Sequence, residues 1–290
     1  MTQQQFEILS GRRDALGEGP WWDAQASVLY WVDIFGKAIR AATLDGTELA
    51  VTTTPSEPGF VLKNRAGHLI AGLRDGIFER NEADASWHQR WRGPWDSSAV
   101  RVNDGKTDRS GRLWFGTMHD QETDPVGALY MLSGNEVHQV GDGITVSNGL
   151  GWSPDNRIMY YADSPTQVIM AFDFDAATGA TANPRVFVTD PAAYQPDGLT
   201  VDADGCVWSA KWDGSRVVRY TPAGVIDREI MLPASRPTSC MFVGPDLRTL
   251  AVTSAAPDDP AAEPLGGALF LLDVGAQGLP EVPAGEMWLA

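Results

Sequence analysis

The stretch Asn103–Thr117 reads NDGKTDRSGRLWFGT: a polar start, a short strand-like run, a turn of the Asp/Gly type, then a stronger apolar strand. Five other segments follow the same plan. They are GEGPWWDAQASVLYWVD from Gly17, PGFVLKNRAGHLIAGL from Pro58, NGLGWSPDNRIMYYAD from Asn148, DGLTVDADGCVWSAK from Asp197 and TSCMFVGPDLRTLAVTS from Thr238. The period is about 40 to 50 residues, which for units of several strands is that of propeller blades.

Within the units, strands are read at Val28–Val32, Leu69–Leu73, Leu113–Thr117, Ile158–Ala162, Val207–Ala210 and Thr249–Thr253. These runs are rich in Val, Ile, Tyr, Trp and Phe and end at turn residues. A later strand follows in each unit, at Ala38–Thr43, Gly76–Arg80, Ala128–Leu132, Val168–Phe174, Arg216–Tyr220 and Ala268–Leu272. No stretch carries a helical period long enough for a confident helix. The expected fold is therefore all-β, a single six-bladed propeller over residues 1–290. A seam left open would expose strand edges, so Phe6–Ser10 is expected to complete the last blade. A β-sandwich has similar strand content but does not require six similar units.

The chain has 290 residues, 22 basic against 38 acidic, for a net charge of −16. That balance argues against nucleic acid and anionic membrane surfaces as partners, and it suits a cation. Apolar residues make up 43% of the chain, including eleven Trp, which supports a large core. No run approaches the roughly 18 apolar residues that cross a bilayer. Met1–Gln5 is polar and lacks the basic and apolar regions of a secretory leader. Cys206 and Cys240 are too few for a disulfide framework and read as small core residues. A cytoplasmic location is expected, with no obligatory protein partner evident.

Aligning the units on their turns brings Glu18, Asn103, Asn148 and Asp197 into register. Ser239 takes the same place in the sixth unit, and Pro58 or Gly59 in the second. In a rotational repeat, equivalent positions lie on one ring. At the start of an innermost strand that ring surrounds the central channel. Two carboxylates and two amide oxygens suit a hard divalent cation, Ca²⁺, Mg²⁺ or Mn²⁺. Zn²⁺ and Fe²⁺ can occupy such a site with waters, although neither commonly sits without imidazole.

At these residues the chain resembles the senescence marker protein 30, gluconolactonase and luciferin-regenerating-enzyme-like family. The matching motifs are Leu16-Gly-Glu-Gly-Pro20, Arg101-Val-Asn-Asp-Gly-Lys106, Gly111-Arg-Leu-Trp-Phe-Gly-Thr-Met118, Ser147-Asn-Gly-Leu150, Tyr160-Tyr-Ala-Asp-Ser164 and Pro196-Asp-Gly-Leu199. They span nearly the whole chain in the family's order. The resemblance implies a six-bladed propeller with one divalent cation, Ca²⁺ foremost, held by Glu18, Asn148 and Asp197. It implies that Arg101 and Asn103 bind substrate. It also implies hydrolysis of a sugar lactone, such as gluconolactone, xylonolactone or arabinonolactone, to the aldonic acid. The small-molecule partner is then the lactone itself.

For ester hydrolysis Asp197 is the expected general base as well as a ligand. The loop after Thr117 reads Met118-His119-Asp120-Gln121-Glu122 and departs from the family pattern at His119. His119 is carried as a candidate contact to sugar hydroxyls, against the alternative of a surface residue. His68, His88 and His138 read as surface residues. Lys211 either points into the pocket or is solvated, and Trp212 stands close to the channel end. Trp31, Trp114 and Trp208 read as packing between blades. No nucleophile elbow, H-E-x-x-H, C-x-x-C or phosphate-binding glycine loop is present. Two alternatives remain: a promiscuous metal-dependent esterase or phosphotriesterase of the same fold, and a non-enzymatic cation-binding regulator.

Overall fold

The structure is a computed structural model and describes residues 5–285. Six four-stranded antiparallel sheets succeed one another along the chain. Blade 1 runs Gly17–Asp23, Val28–Asp33, Ala38–Ala42 and Glu48–Thr53. Blade 2 runs Phe60–Lys63, Leu69–Leu73, Gly76–Arg80 and Trp87–Arg92. Blade 3 holds Val100–Thr107, Leu113–His119, Gly127–Ser133 and Glu136–Ile144, and blade 4 holds Ser147–Trp152, Ile158–Asp163, Val168–Phe174 and Thr181–Thr189. Blade 5 runs Gln195–Val201, Val207–Trp212, Arg216–Tyr220 and Ile226–Met231. The expected six-bladed propeller is the fold observed.

Blade 6 is built from both ends of the described chain. Pro237–Val243, Thr249–Ser254 and Phe270–Asp273 are joined at the outer edge by Phe6–Ile8. Phe6 pairs with Leu272 and Ile8 with Phe270, and the Phe6 and Phe270 rings meet edge-on at 5.5 Å. The closing strand stops two residues short of the expected Ser10. The third strand of this blade also starts later than expected, at Phe270. The backbone at Gly267 takes φ +78° and turns before the ladder resumes.

The innermost strands are buried over most of their length, while outer strands such as Glu48–Thr53 face solvent along most of theirs. That gradient explains the composition: apolar runs belong to the inner three strands, polar ones to the fourth. Between the blades, Trp31, Trp114 and Trp208 are all buried. Each indole N–H donates to a buried aspartate, Asp14 at 2.7 Å, Asp108 at 3.1 Å and Asp202 at 2.8 Å. Each aspartate is also paired with an arginine, Arg40, Arg112 or Arg219. The tryptophans therefore serve packing between blades, with their one polar atom satisfied.

The segment Gln277–Gly285 crosses one end of the channel. Gln277 accepts from Ala203 N, Gly278 donates to Leu247 O, and Ala284 exchanges bonds with Lys63 and Arg65. Gly285 donates to Gly111 O, and the Thr107 hydroxyl donates to Val282 O. These partners follow or end the innermost strands. Glu18, Asn103, Asn148 and Asp197 lie toward the other ends of those strands, so the segment covers the face opposite them. Among the described residues no helix is long and apolar enough to cross a membrane.

Candidate active site at the channel mouth

Five of the six innermost strands break register at the position the repeat alignment selects. The shifts fall between Glu18 and Trp21, Val102 and Asp104, Asn148 and Leu150, Pro196 and Leu199, and Pro237 and Cys240. Only the strand Phe60–Lys63 of blade 2 pairs without interruption. A bulge adds a residue and re-aims its side chain. Repeated around the ring, these bulges turn Glu18, Asn103, Asn148 and Asp197 to one cavity. Blades 2 and 6 carry small residues, Gly59 and Ser239, at the equivalent places, and neither lines the cavity. A Cβ on Gly59 would come within 2.6 Å of Asn103 O, and one on Gly198 would meet the Ser239 hydroxyl. The strands crowd just as closely at Gly149, where a Cβ would lie 2.6 Å from Asp197 O. That is why glycine follows Asn148 and Asp197.

The cavity is small, about 60 Å³, and opens to solvent. It has room for an ion and a few waters, and a larger ligand extends through the open mouth. Arg101, Met118, Glu122, Val146, Ser164, Gln195, Trp212, Leu16 and Ile34 complete its wall. The polar floor is ordered by a chain of hydrogen bonds. Arg101 Nη1 donates to Asn103 Oδ1 at 2.7 Å. Asn103 Nδ2 donates to Asn148 Oδ1 at 3.1 Å and to Ser147 O at 2.9 Å. Asn148 Nδ2 donates to Ser164 Oγ at 2.8 Å, which turns the amide so that its oxygen faces the ring.

Glu18 and Asp197 are buried, and each has one carboxylate oxygen bonded to the next backbone N–H. Gly19 N donates to Glu18 Oε2, and Gly198 N to Asp197 Oδ1 at 3.0 Å. Burial pushes both acids well above the usual carboxylate range. For Glu18 the charge of Asp197 adds to the push, and the nearby Asp104 charge raises both. Asp104 is itself raised by burial, which Lys106 only partly offsets. Two buried carboxylates facing one space with no basic partner of their own form an incomplete arrangement. An all-oxygen set of Glu18, Asp197 and Asn148 Oδ1 fits a hard dication, whose charge would offset the repulsion. Cysteine and histidine are absent from this wall, so the donors do not match a soft metal.

Arg101 is buried, and this burial lowers its pKa to about 10 against the pull of Asp120. Its Nε lies 3.5 Å from Asp120 Oδ1. Asp120 in turn is gripped by Arg74 at 2.6 and 3.3 Å, and Arg74 holds Glu57 at 2.9 Å.

His119 ends its strand close to this site but is not among the residues that line the cavity. Its Nδ1 meets the Thr123 hydroxyl at 3.1 Å and lies 3.8 Å from Asp124. Lys211 takes neither of its two expected places. It is fully buried, with Nζ 2.6 Å from Asp190 Oδ2 and 3.0 Å from Ser209 Oγ. Trp212 does line the cavity, and Arg236 lies over its ring at 5.1 Å. His68 is only partly exposed and pairs with Glu79 at 2.6 Å. Both cysteines are buried, and burial pushes the Cys240 thiol up to about 12, so it is a core residue. Glu122, Gln195 and Ser164 went unselected in the sequence because they lie outside the repeated inner-strand position. Asp104 adjoins Asn103, and only the bulge makes the neighbour of a channel residue a buried acid beside the ring.

The fold and this site define a closed six-bladed propeller with an oxygen-donor centre on its axis. The profile of the SMP-30/Gluconolactonase/LRE-like region matches residues 16–256. The chain belongs to that family. It is 36% identical over 275 residues to the 6-deoxy-6-sulfogluconolactonase of Pseudomonas putida, covering 92% of this chain and 94% of that protein. It is 34% identical to a pentonolactonase of Haloferax volcanii, covering 92% of this chain and 93% of that one. The crystal structure of a calcium-binding protein, regucalcin, from Agrobacterium tumefaciens superposes with a TM-score of 0.92. That chain is 28% identical, with 97% of each chain covered.

Proposed function

We propose that the protein is a sugar lactonase that hydrolyses an aldonolactone to the aldonic acid with a divalent cation at Glu18, Asn148 and Asp197. One observation carries the reading. Two buried carboxylates with no basic partner share a small open cavity with a buried arginine and a ring of amides. The kinship to lactonases supports the same reaction.

Hydrolysis of a cyclic ester needs an activated water, a polarised carbonyl and a held substrate. Held by Glu18, Asn148 and Asp197, a dication would supply polarisation of the lactone carbonyl and would keep both carboxylates ionised. Asp197 accepts from Gly198 N through Oδ1 and shares a hydrogen bond with Glu18; with both carboxylates ionised that shared proton is gone, and Asp197 can take the proton from the attacking water. The water oxygen bonds the carbonyl carbon, the ring C–O bond breaks, and the ring oxygen leaves as a hydroxyl by taking up the proton that Asp197 accepted. Arg101 spends Nη1 on Asn103 Oδ1 and Val102 O and turns Nε toward Asp120, which leaves the Nη2 N–H groups for the substrate. Asn103 is fixed at both ends of its amide and orients that guanidinium. Such positioning contributes because a lactone with several hydroxyls can be held at several points.

The test is a hydrolysis assay on uncharged hexono- and pentonolactones, using chelator-stripped protein with Ca²⁺, Mg²⁺, Mn²⁺, Zn²⁺ or Fe²⁺ restored singly. Turnover that returns with one metal and is lost on chelation supports the proposal. A folded, metal-loaded protein that turns over none of the lactones refutes it.

A further inference from the structure

Among the proposed ligands, Asn148 is the one that can sit the wrong way round. Either oxygen of Glu18 or Asp197 can meet a cation. An amide offers one oxygen, opposite an NH₂ group of nearly the same shape that can only donate. Whatever fixes the sense of that amide therefore decides whether its oxygen joins the set at all.

The sense is imposed from both sides. Arg101 can only donate. Its Nη1 bonds Asn103 Oδ1, so the Asn103 amide presents Nδ2 to Asn148 Oδ1 and to Ser147 O. On the far side, Asn148 Nδ2 reaches Ser164 Oγ at 2.8 Å. Ser164 is buried and lines the cavity, and its backbone is braced. It opens the 3₁₀ turn Ser164–Thr166, where its N donates to Val146 O at 3.2 Å and its O accepts from Gln167 N at 2.9 Å. The preceding carboxylate, Asp163, accepts from Thr145 N and Val146 N, and the Asp163 carbonyl accepts from the Thr166 hydroxyl.

We infer that Ser164 is a positioning residue that sets the cation affinity by holding the Asn148 amide oxygen toward Glu18 and Asp197. This rests on the cation site of the proposed function and adds to it a residue outside the ligand set. Without the hydroxyl, the buried Asn148 NH₂ loses its acceptor. The Glu18 and Asp197 carboxylates line the same cavity and are strong acceptors, so the freed NH₂ is drawn to them and Oδ1 turns away from the cation's place. Removing a partner that orients a metal ligand lowers metal affinity by about 10- to 100-fold.

The experiment titrates chelator-stripped protein with Ca²⁺, Mg²⁺, Mn²⁺, Zn²⁺ and Fe²⁺ in turn by calorimetry, with no lactone present. For the ion that the parent binds, Ser164→Ala should raise Kd about 10- to 100-fold. Ser164→Cys keeps the size of the side chain, replaces the oxygen by a poor acceptor, and should do the same. Asn148→Asp supplies the control. A carboxylate has no wrong orientation, so adding Ser164→Ala to that variant should change its Kd by less than about threefold. Ser164 variants that bind the ion as the parent does overturn the inference and leave the cation site standing. A loss just as large in the Asn148→Asp background marks a general disturbance of blade 4 and overturns the role in amide orientation. A parent protein that binds none of the ions overturns the cation site and this inference with it.

Discussion

Lys211 Nζ lies 2.6 Å from Asp190 Oδ2 with both side chains shut off from solvent, and Lys211 pairs across the strand with Pro196, the neighbour of Asp197. The Tyr220 hydroxyl donates to the other Asp190 oxygen at 2.7 Å. Burial lowers the lysine pKa and Asp190 opposes the shift. Removing one partner of such a pair strands the other charge. Lys211→Met should cost about 3–5 kcal/mol in urea unfolding, and Lys211→Met with Asp190→Leu should recover much of it. A single variant as stable as the parent would show that the pair is not what holds blade 5 to the loop before it.

Asp197→Asn should separate catalysis from stability. Turnover is expected to fall by about 10²-fold or more, because the amide cannot take the proton from water. The same change removes one of two buried, mutually repelling carboxylates. Stripped of metal, the variant should therefore melt at a higher temperature than the stripped parent. Adding a divalent cation should raise the melting point of the parent and do much less for the variant. Identical metal responses would remove Asp197 from the ligand set.

Asp120 acts on the substrate only through Arg101. With Arg74 fixing it from one side, it holds the Arg101 guanidinium from the other. Asp120→Asn is expected to raise KM about threefold to tenfold while kcat changes less, since the chemistry at Asp197 is untouched. A fall confined to kcat would contradict this division of labour.

Glu57 gives the protein an acid-sensitive contact. Burial works against its ionisation, but the Arg74 hydrogen bond and the nearby Lys37 outweigh it and bring the pKa down from 4.5 to about 2. A carboxyl with a lower pKa in the folded state contributes stability above its unfolded pKa. That contribution fades as pH falls from about 4.5 to about 2. Unfolding midpoints measured down this range should drop less steeply in Glu57→Gln than in the parent. Parallel slopes would mean other carboxyls set the acid limb.

The sequence made the ring legible because rotation turns a position in one unit into the same position in the next. Glu18, Asn103, Asn148 and Asp197 could be aligned on turns alone, and all four line one cavity. Strand limits were equally plain where apolar runs meet turn residues, as at Leu69–Leu73 and Val168–Phe174. What was hidden depends on partners far away in the chain. A bulge is a property of two strands, so nothing in Val102–Asp104 announces it. Lys211 could not be assigned to Asp190, which lies on the loop between two blades. Glu122 belongs to a loop with no counterpart in the other units. Its place at the mouth follows from how blade 3 turns, which no periodicity encodes.

The strand Phe6–Ile8 completes a sheet whose other three members come from the opposite end of the chain. During synthesis, Phe6–Ile8 must wait for its native partner until Phe270–Asp273 has cleared the ribosome. Blades 1 to 5 can each form from local chain as they appear, because every strand in them pairs with its neighbour in sequence. The ring itself can lock only once Phe270–Asp273 has been made. Until then the Phe270–Asp273 edge and the apolar Phe6 ring are open to the wrong partner. A nascent chain stalled before residue 270 should thus be a target for chaperones that guard unpaired strand edges, even though most of its blades are already folded.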